Sequence, residues 1–207
     1  MNNFNAASLK SASVGKLLLR LLWVRLGFAG VAVLFSLLDV IAKPIYQLVA
    51  GIDGLISIVA LIINIISVIL FLIWLHRLHA DLKNLFQEYP ITPGGAVARF
   101  LIPVYNIWGM ANVLSTFADK FKPEGGDLTS FSEEVRASIG LLYGFTIVSQ
   151  ALTRFLLKES FNNPQNESLT VWYLLSTALD LGIAFVLLQL TKNMGTAVIQ
   201  KSKRVIA

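Results

Sequence analysis

Asp180 is the residue whose placement most invites chemistry. It stands inside the apolar run Leu169–Leu190, and Asn64 and Gln150 fall at matching depth in two other apolar runs. Counted from the run ends at about 1.5 Å per residue, the three lie roughly 12–17 Å deep. A carboxylate at the centre of a membrane helix costs about 2.5–3.5 kcal/mol on insertion scales, so it has to face protein or water. Ser149 and Thr177 are within reach as further hydrogen-bond partners, and Arg154, one turn from Gln150, is a candidate counter-ion. Asn64, Gln150, Asp180 and Arg154 thus form an expected intramembrane polar cluster. Two uses fit it: a clasp of interhelical hydrogen bonds, or a proton or cation site.

His76 and His79 form a second chemical feature. Their i, i+3 spacing could present both rings to one ion, but it matches neither H-E-x-x-H nor a zinc-finger pattern. Together with Arg77 and Arg99 they read better as a cytoplasmic, lipid-facing collar that binds anionic headgroups. There are no cysteines, which excludes disulfides and thiolate chemistry. Phosphate-loop and nucleophile-elbow motifs are missing, and Gly94-Gly95 lacks the preceding strand a phosphate loop needs. The sequence therefore gives no expected catalytic residue, metal site or cofactor, and no enzyme activity is expected.

The elements that must carry these residues follow from composition. Hydrophobic residues make up 56% of the 207 and charged ones 14%, with a mean hydropathy of +0.70. Soluble domains carry about 25% charged residues, so the chain belongs to a membrane class. Four runs approach the ~20 residues needed to cross hydrocarbon: about 17–42, 55–75, 139–157 and 169–190. Backbone groups in lipid must be satisfied within the segment, so the runs predict helices and an all-α, four-helix transmembrane bundle. Residues 1–16 are polar and predict a disordered cytoplasmic tail, with 17–207 as a single membrane domain. Lys43-Pro44, Gly51 and Gly54 predict a short outer turn, and Ser130 with Glu133 a capping box before the third span.

Lys and Arg cluster before the first run, between the second and third, and after the fourth. The positive-inside rule then puts both termini and the insert 76–136 in the cytoplasm. The net charge of +5 reads as membrane orientation rather than nucleic-acid binding, because no basic, aromatic-interleaved stripe accompanies it.

The insert is itself apolar and broken. Thr92 predicts an N-cap with Pro93 at the first helical position, Gly94 follows, and Pro103 breaks the next run. Asn106 is placed to satisfy a backbone group released there, and Trp108 suits headgroup depth. A proline-broken interfacial or re-entrant helical hairpin fits this pattern, and so does an amphipathic helix lying on the inner leaflet; a fifth span through residues 96–118 is the third reading, and it would spoil the charge bias.

Trp74-Leu-x-Arg77, Thr92-Pro93-Gly94-x-Ala96-Val97 and Ile102-Pro103-x-x-Asn106-x-Trp108 together resemble a widespread family of uncharacterised bacterial membrane proteins, a domain of unknown function. The resemblance is densest over residues 55–125. It implies about four spans and transfers no activity; some members carry a GYF-like domain that is lacking here. Many members have Asn where this chain has Asp81. Taken together, the sequence predicts a structural, assembly or interaction protein of the inner membrane, in contact with anionic lipid and with itself or a complex partner. The alternative is a small transporter or channel that uses Asp180.

Overall fold

The structure, a computed structural model, describes residues 9–163, 166 and 168–206 (of residues 103–107 and 206, the backbone only). Six α-helices follow in order: α1 Lys10–Ile41, α2 Lys43–Leu85, α3 Pro93–Leu101, α4 Pro103–Phe121, α5 Asp127–Asn162 and α6 Leu169–Ile206. There is no strand among the described residues. Helices α1, α2, α5 and α6 are each long and apolar enough to cross a membrane, so the chain is an all-helical, multi-pass membrane protein. At about 1.5 Å per residue all four exceed the ~30 Å of hydrocarbon. The 43-residue α2 is about twice that length, so the membrane does not set where it ends.

Several helix ends differ from expectation, each for a local reason. The first helix begins at Lys10, inside the stretch expected to be a disordered tail; residues 1–8 lie outside the described residues. Its start is fixed by Asp81, whose carboxylate accepts the backbone N–H of Lys10 at 3.1 Å and of Ser11 at 2.8 Å. The expected outer turn is compressed to Ala42, and Gly51 and Gly54 lie within α2. Pro44 stands in the first turn of α2, where its missing N–H interrupts no helical bond, so it starts a helix rather than ending one. Tyr46 then donates to Asp53 at 2.8 Å along the same helix. Likewise α5 begins at Asp127 rather than at a cap on Ser130. Gly125 and Gly126 turn the chain with φ of 74° and 60°, the left-handed region glycine tolerates. Asp127 then meets the positive end of the helix dipole.

In the insert, Thr92 caps α3 by accepting the Gly95 N–H at 3.0 Å, with Pro93 at the first helical position. Ile102 is extended, with φ −82° and ψ 117°, and Pro103 opens α4. The residue before a proline disfavours α geometry, which is why the break falls at Ile102. The side chains of Pro103 and Asn106 lie outside the described residues, so the amide's expected role there has no counterpart to report.

The chain divides into two compact units, and each long helix contributes different stretches to each. The first unit comprises residues 1–20, 67–140 and 188–207. Its core holds Trp74, Leu75, Leu78 and Leu82 of α2, Leu114, Phe117 and Phe121 of α4, Leu128 of α5 and Met194 of α6. Phe117 and Phe121 stack at 4.4 Å. Helices α3 and α4 approach so closely that a Cβ on Gly109 would lie 2.7 Å from the Arg99 Cβ. Polar staples complete this unit. Ser132 donates to the Ala118 carbonyl at 2.7 Å, Asn193 to Glu134 at 2.6 Å, and Lys201 pairs with Glu124 at 2.6 Å.

The second unit comprises residues 21–66 and 141–187. Leu152, Leu156 and Leu169 cluster with Leu179, and Gly182 lets the Phe145 ring approach to 3.0 Å of where a Cβ would be.

Asp81 is 1% exposed, and its removal strands two helix-end donors. Losing an N-cap acceptor costs about 0.5–2 kcal/mol, and stranding buried groups about 1–3 kcal/mol. Asp81→Leu is therefore expected to destabilise the first unit by roughly 2–3 kcal/mol. Asp81→Asn keeps one acceptor but turns an NH2 on the other N–H and loses the charge facing the helix dipole, so it is expected to cost about 1–2 kcal/mol, less than the leucine variant. Denaturation in detergent, with amide exchange at Lys10 and Ser11, checks the order of the two variants.

Candidate functional site

The second unit contains a cavity of about 270 Å³ lined by residues of α1, α2 and α6. Its polar groups are Arg25 of α1, Ser57 and Asn64 of α2, and Thr177 and Asp180 of α6; Phe28, Leu61 and alanines form the rest. The helices supply these groups by simple register. Ser57, Leu61 and Asn64 follow an i, i+4, i+7 stripe on α2, and Thr177 and Asp180 an i, i+3 pair on α6.

Asp180 is exposed towards this space. Ser149 of α5 donates to it at 3.4 Å, and Thr177 donates to Ser36 of α1 at 3.3 Å. Arg25 and Asp180 line the same cavity, and no hydrogen bond or ion pair joins them among the described residues. The side-chain carbonyl oxygen of Asn64 is buried and accepts no hydrogen bond there.

Two of the four residues expected in the polar cluster therefore meet at one cavity, Asn64 and Asp180. The other two do not: Gln150 and Arg154 are exposed on α5 and line no part of it. The charge that accompanies Asp180 is that of Arg25. Its signal in the sequence was a basic residue within the first apolar run, which reads there as a helix-end charge. Only the packing of α1 and α6 in this unit brings Arg25 and Asp180 to one space.

The expected collar also divides. His76 and Arg77 are exposed and Arg99 is half-buried, while His79 is fully buried in the first unit. The His79 ring packs edge-on against Tyr89 at 5.6 Å, and its Nδ1–H donates to the Leu75 carbonyl at 2.9 Å. It faces inward because α2 turns the 75, 78, 79 and 82 positions to the core. With one ring buried and the other exposed, the two histidines do not converge. Of the residues expected in the interfacial segment, Pro93 is half-buried, Gly94 open and Trp108 77% exposed. No group of three or more metal-ligating side chains occurs among the described residues.

A domain-family model, "Domain of unknown function (DUF4328)", matches residues 40–194. The chain belongs to that family. No curated protein and no solved structure matches the chain. Within the DUF4328 region lie Ser57, Asn64, Thr177 and Asp180, together with the whole of α3 and α4. Arg25 and the α1 start that Asp81 caps lie before it.

His79 generates a pH dependence. It stands beyond the apolar stretch 55–75, and burial, the largest cause, pushes its pKa from 6.5 down to about 4. The hydrogen bond to Leu75 opposes that shift, and the charges of Arg99 and His76 add to it. A depressed histidine is neutral in the fold, whereas the unfolded chain takes up a proton below pH 6.5. Stability is therefore full above about pH 6.5 and falls as pH drops towards 4, by roughly 2–3 kcal/mol at most. Denaturation of the detergent-solubilised protein across this range checks it, and His79→Gln is expected to flatten that slope.

Proposed function

We propose that this membrane protein works through the Arg25–Asp180 cavity, as a small transporter or channel in which Asp180 exchanges a proton. The observation that carries this reading is an exposed carboxylate in an apolar span, opening on a cavity with an unpartnered amide oxygen. A clasp of purely structural hydrogen bonds needs no such space, since closing it would gain packing contacts. A carboxylate takes up and releases a proton without the several oxygen ligands a metal ion needs, and Asp180 is the one acid lining the cavity among the described residues. The basic clusters around the spans support an inner-membrane protein with both termini cytoplasmic. No enzymatic step is invoked.

Exposed Gln150 and Arg154 favour a second reading, in which the protein also acts by assembly. Both lie on α5 inside its apolar stretch, on the side chains' exposed face, with no hydrogen-bond partner among the described residues. An uncompensated amide facing hydrocarbon is costly, whereas two amides can satisfy each other across a helix pair. A second copy of the chain meets that need.

Proteoliposomes carrying a pH gradient test the first reading. Wild type is expected to dissipate the gradient faster than protein-free liposomes, and Asp180→Asn to return the rate to that baseline. Wild-type liposomes as tight as protein-free ones would exclude it. For the second reading, Gln150→Cys on this cysteine-free chain is expected to cross-link copies in membranes, while a cysteine at Leu48, also exposed, is not. Equal cross-linking at the two positions would count against assembly through α5.

A further inference from the structure

In the first unit, α2 and α3 leave an open groove of about 380 Å³ between them. Its walls are Ile69, Leu72 and Ile73 of α2 and Val97 and Leu101 of α3. Among the described residues the polar side chains on it are His76 and Arg77, both exposed. They follow Ile73 by three and four residues, so they sit one helical turn beyond the aliphatic wall. That turn is also where the apolar stretch 55–75 ends and the charged continuation of α2 begins. The groove is therefore aliphatic along its length and cationic at one end.

We propose that this groove binds an anionic phospholipid, with one acyl chain along Ile69, Ile73 and Leu101 and the phosphate at Arg77 and His76. Charge complementarity decides the occupant. A helix from another chain would answer that charge only with an acidic side chain set at the arginine, and its width of about 10 Å exceeds that of a single acyl chain. An acyl chain with a phosphate at its end matches both halves of the groove. Guanidinium groups hold phosphate oxygens by paired, charge-assisted hydrogen bonds. A basic side chain near a membrane surface favours anionic lipid by about a factor of five. The apolar groove adds chain contacts that a basic residue on a plain helix surface does not provide. The inference stands apart from the Asp180 cavity, which belongs to the other unit.

Native mass spectrometry of the full chain, released from micelles containing equal phosphatidylglycerol and phosphatidylcholine of the same chain length, tests this. Wild type is expected to retain phosphatidylglycerol about five-fold over phosphatidylcholine. Arg77→Gln is expected to bring that ratio close to one while leaving the number of bound lipids similar. Val97→Trp, which fills the groove, is expected to reduce binding of both lipids, with Ile73→Trp as an independent filling variant if the first fails to fold. Inorganic phosphate at the same concentration is expected to displace neither. Equal retention of the two lipids by wild type, or an unchanged ratio in Arg77→Gln, would overturn the proposal. So would displacement by free phosphate, or undiminished binding in a folded groove-filling variant.

Discussion

A charge inside hydrocarbon must be answered by protein or water, and Asp180 imposes that constraint on the second unit. Its carboxylate cannot be left against lipid without a cost of about 2.5–3.5 kcal/mol. Three helices respond in different ways. Helix α5 offers the Ser149 hydroxyl, α1 brings the charge of Arg25, and α2 turns Ser57 and Asn64 towards the same cavity. No single partner neutralises it. The carboxylate remains open to a space large enough for several water molecules or a small solute, at about 30 Å³ for each water.

The first unit answers its buried charges more completely. Asp81 spends both carboxylate oxygens on the N–H groups that start α1, and Glu124 takes Lys201 while its backbone carbonyl accepts from Arg204 at 2.9 Å. Each of these contacts joins segments far apart in the chain: the first fixes the start of α1 to α2, and the others fix the last turns of α6 to the turn that follows α4. His79 is the exception, held neutral among aromatic and aliphatic side chains. Buried polar atoms without a partner occur in both units, on His79, Tyr89, Thr191 and Ser202 in the first and on Asn64 in the second, where that atom belongs to a residue lining the cavity.

Much of this organisation can be read in the sequence where the signal is local. Apolar runs of sufficient length give the four long helices, Thr92-Pro93 gives the start of α3, and Pro103 gives the break at Ile102. Depth counting brings Asn64 and Asp180 to one level because rise per residue is fixed in a helix. Signals that depend on which face packs inward do not survive the same treatment. Gln150 shares that depth but points out of the fold, and His79 shares a sequence motif with His76 but points into it. Arg25 and Asp81 are missed for a related reason, since their partners lie 155 and some 70 residues away and no periodicity links them. Pro44 misleads because the residue that breaks a helix interior also suits a helix start.

The central claim is that the Asp180 cavity is wet within the membrane. The most direct test places a cysteine at Ser57, which lines the cavity, and another at Ile58, which is exposed but lines no part of it. A membrane-impermeant, charged thiol reagent reacts with thiolates in water and not with thiols in hydrocarbon. In intact membranes Ser57→Cys should label readily and Ile58→Cys should not. Equal resistance of both positions, with each labelling after denaturation, would contradict the account.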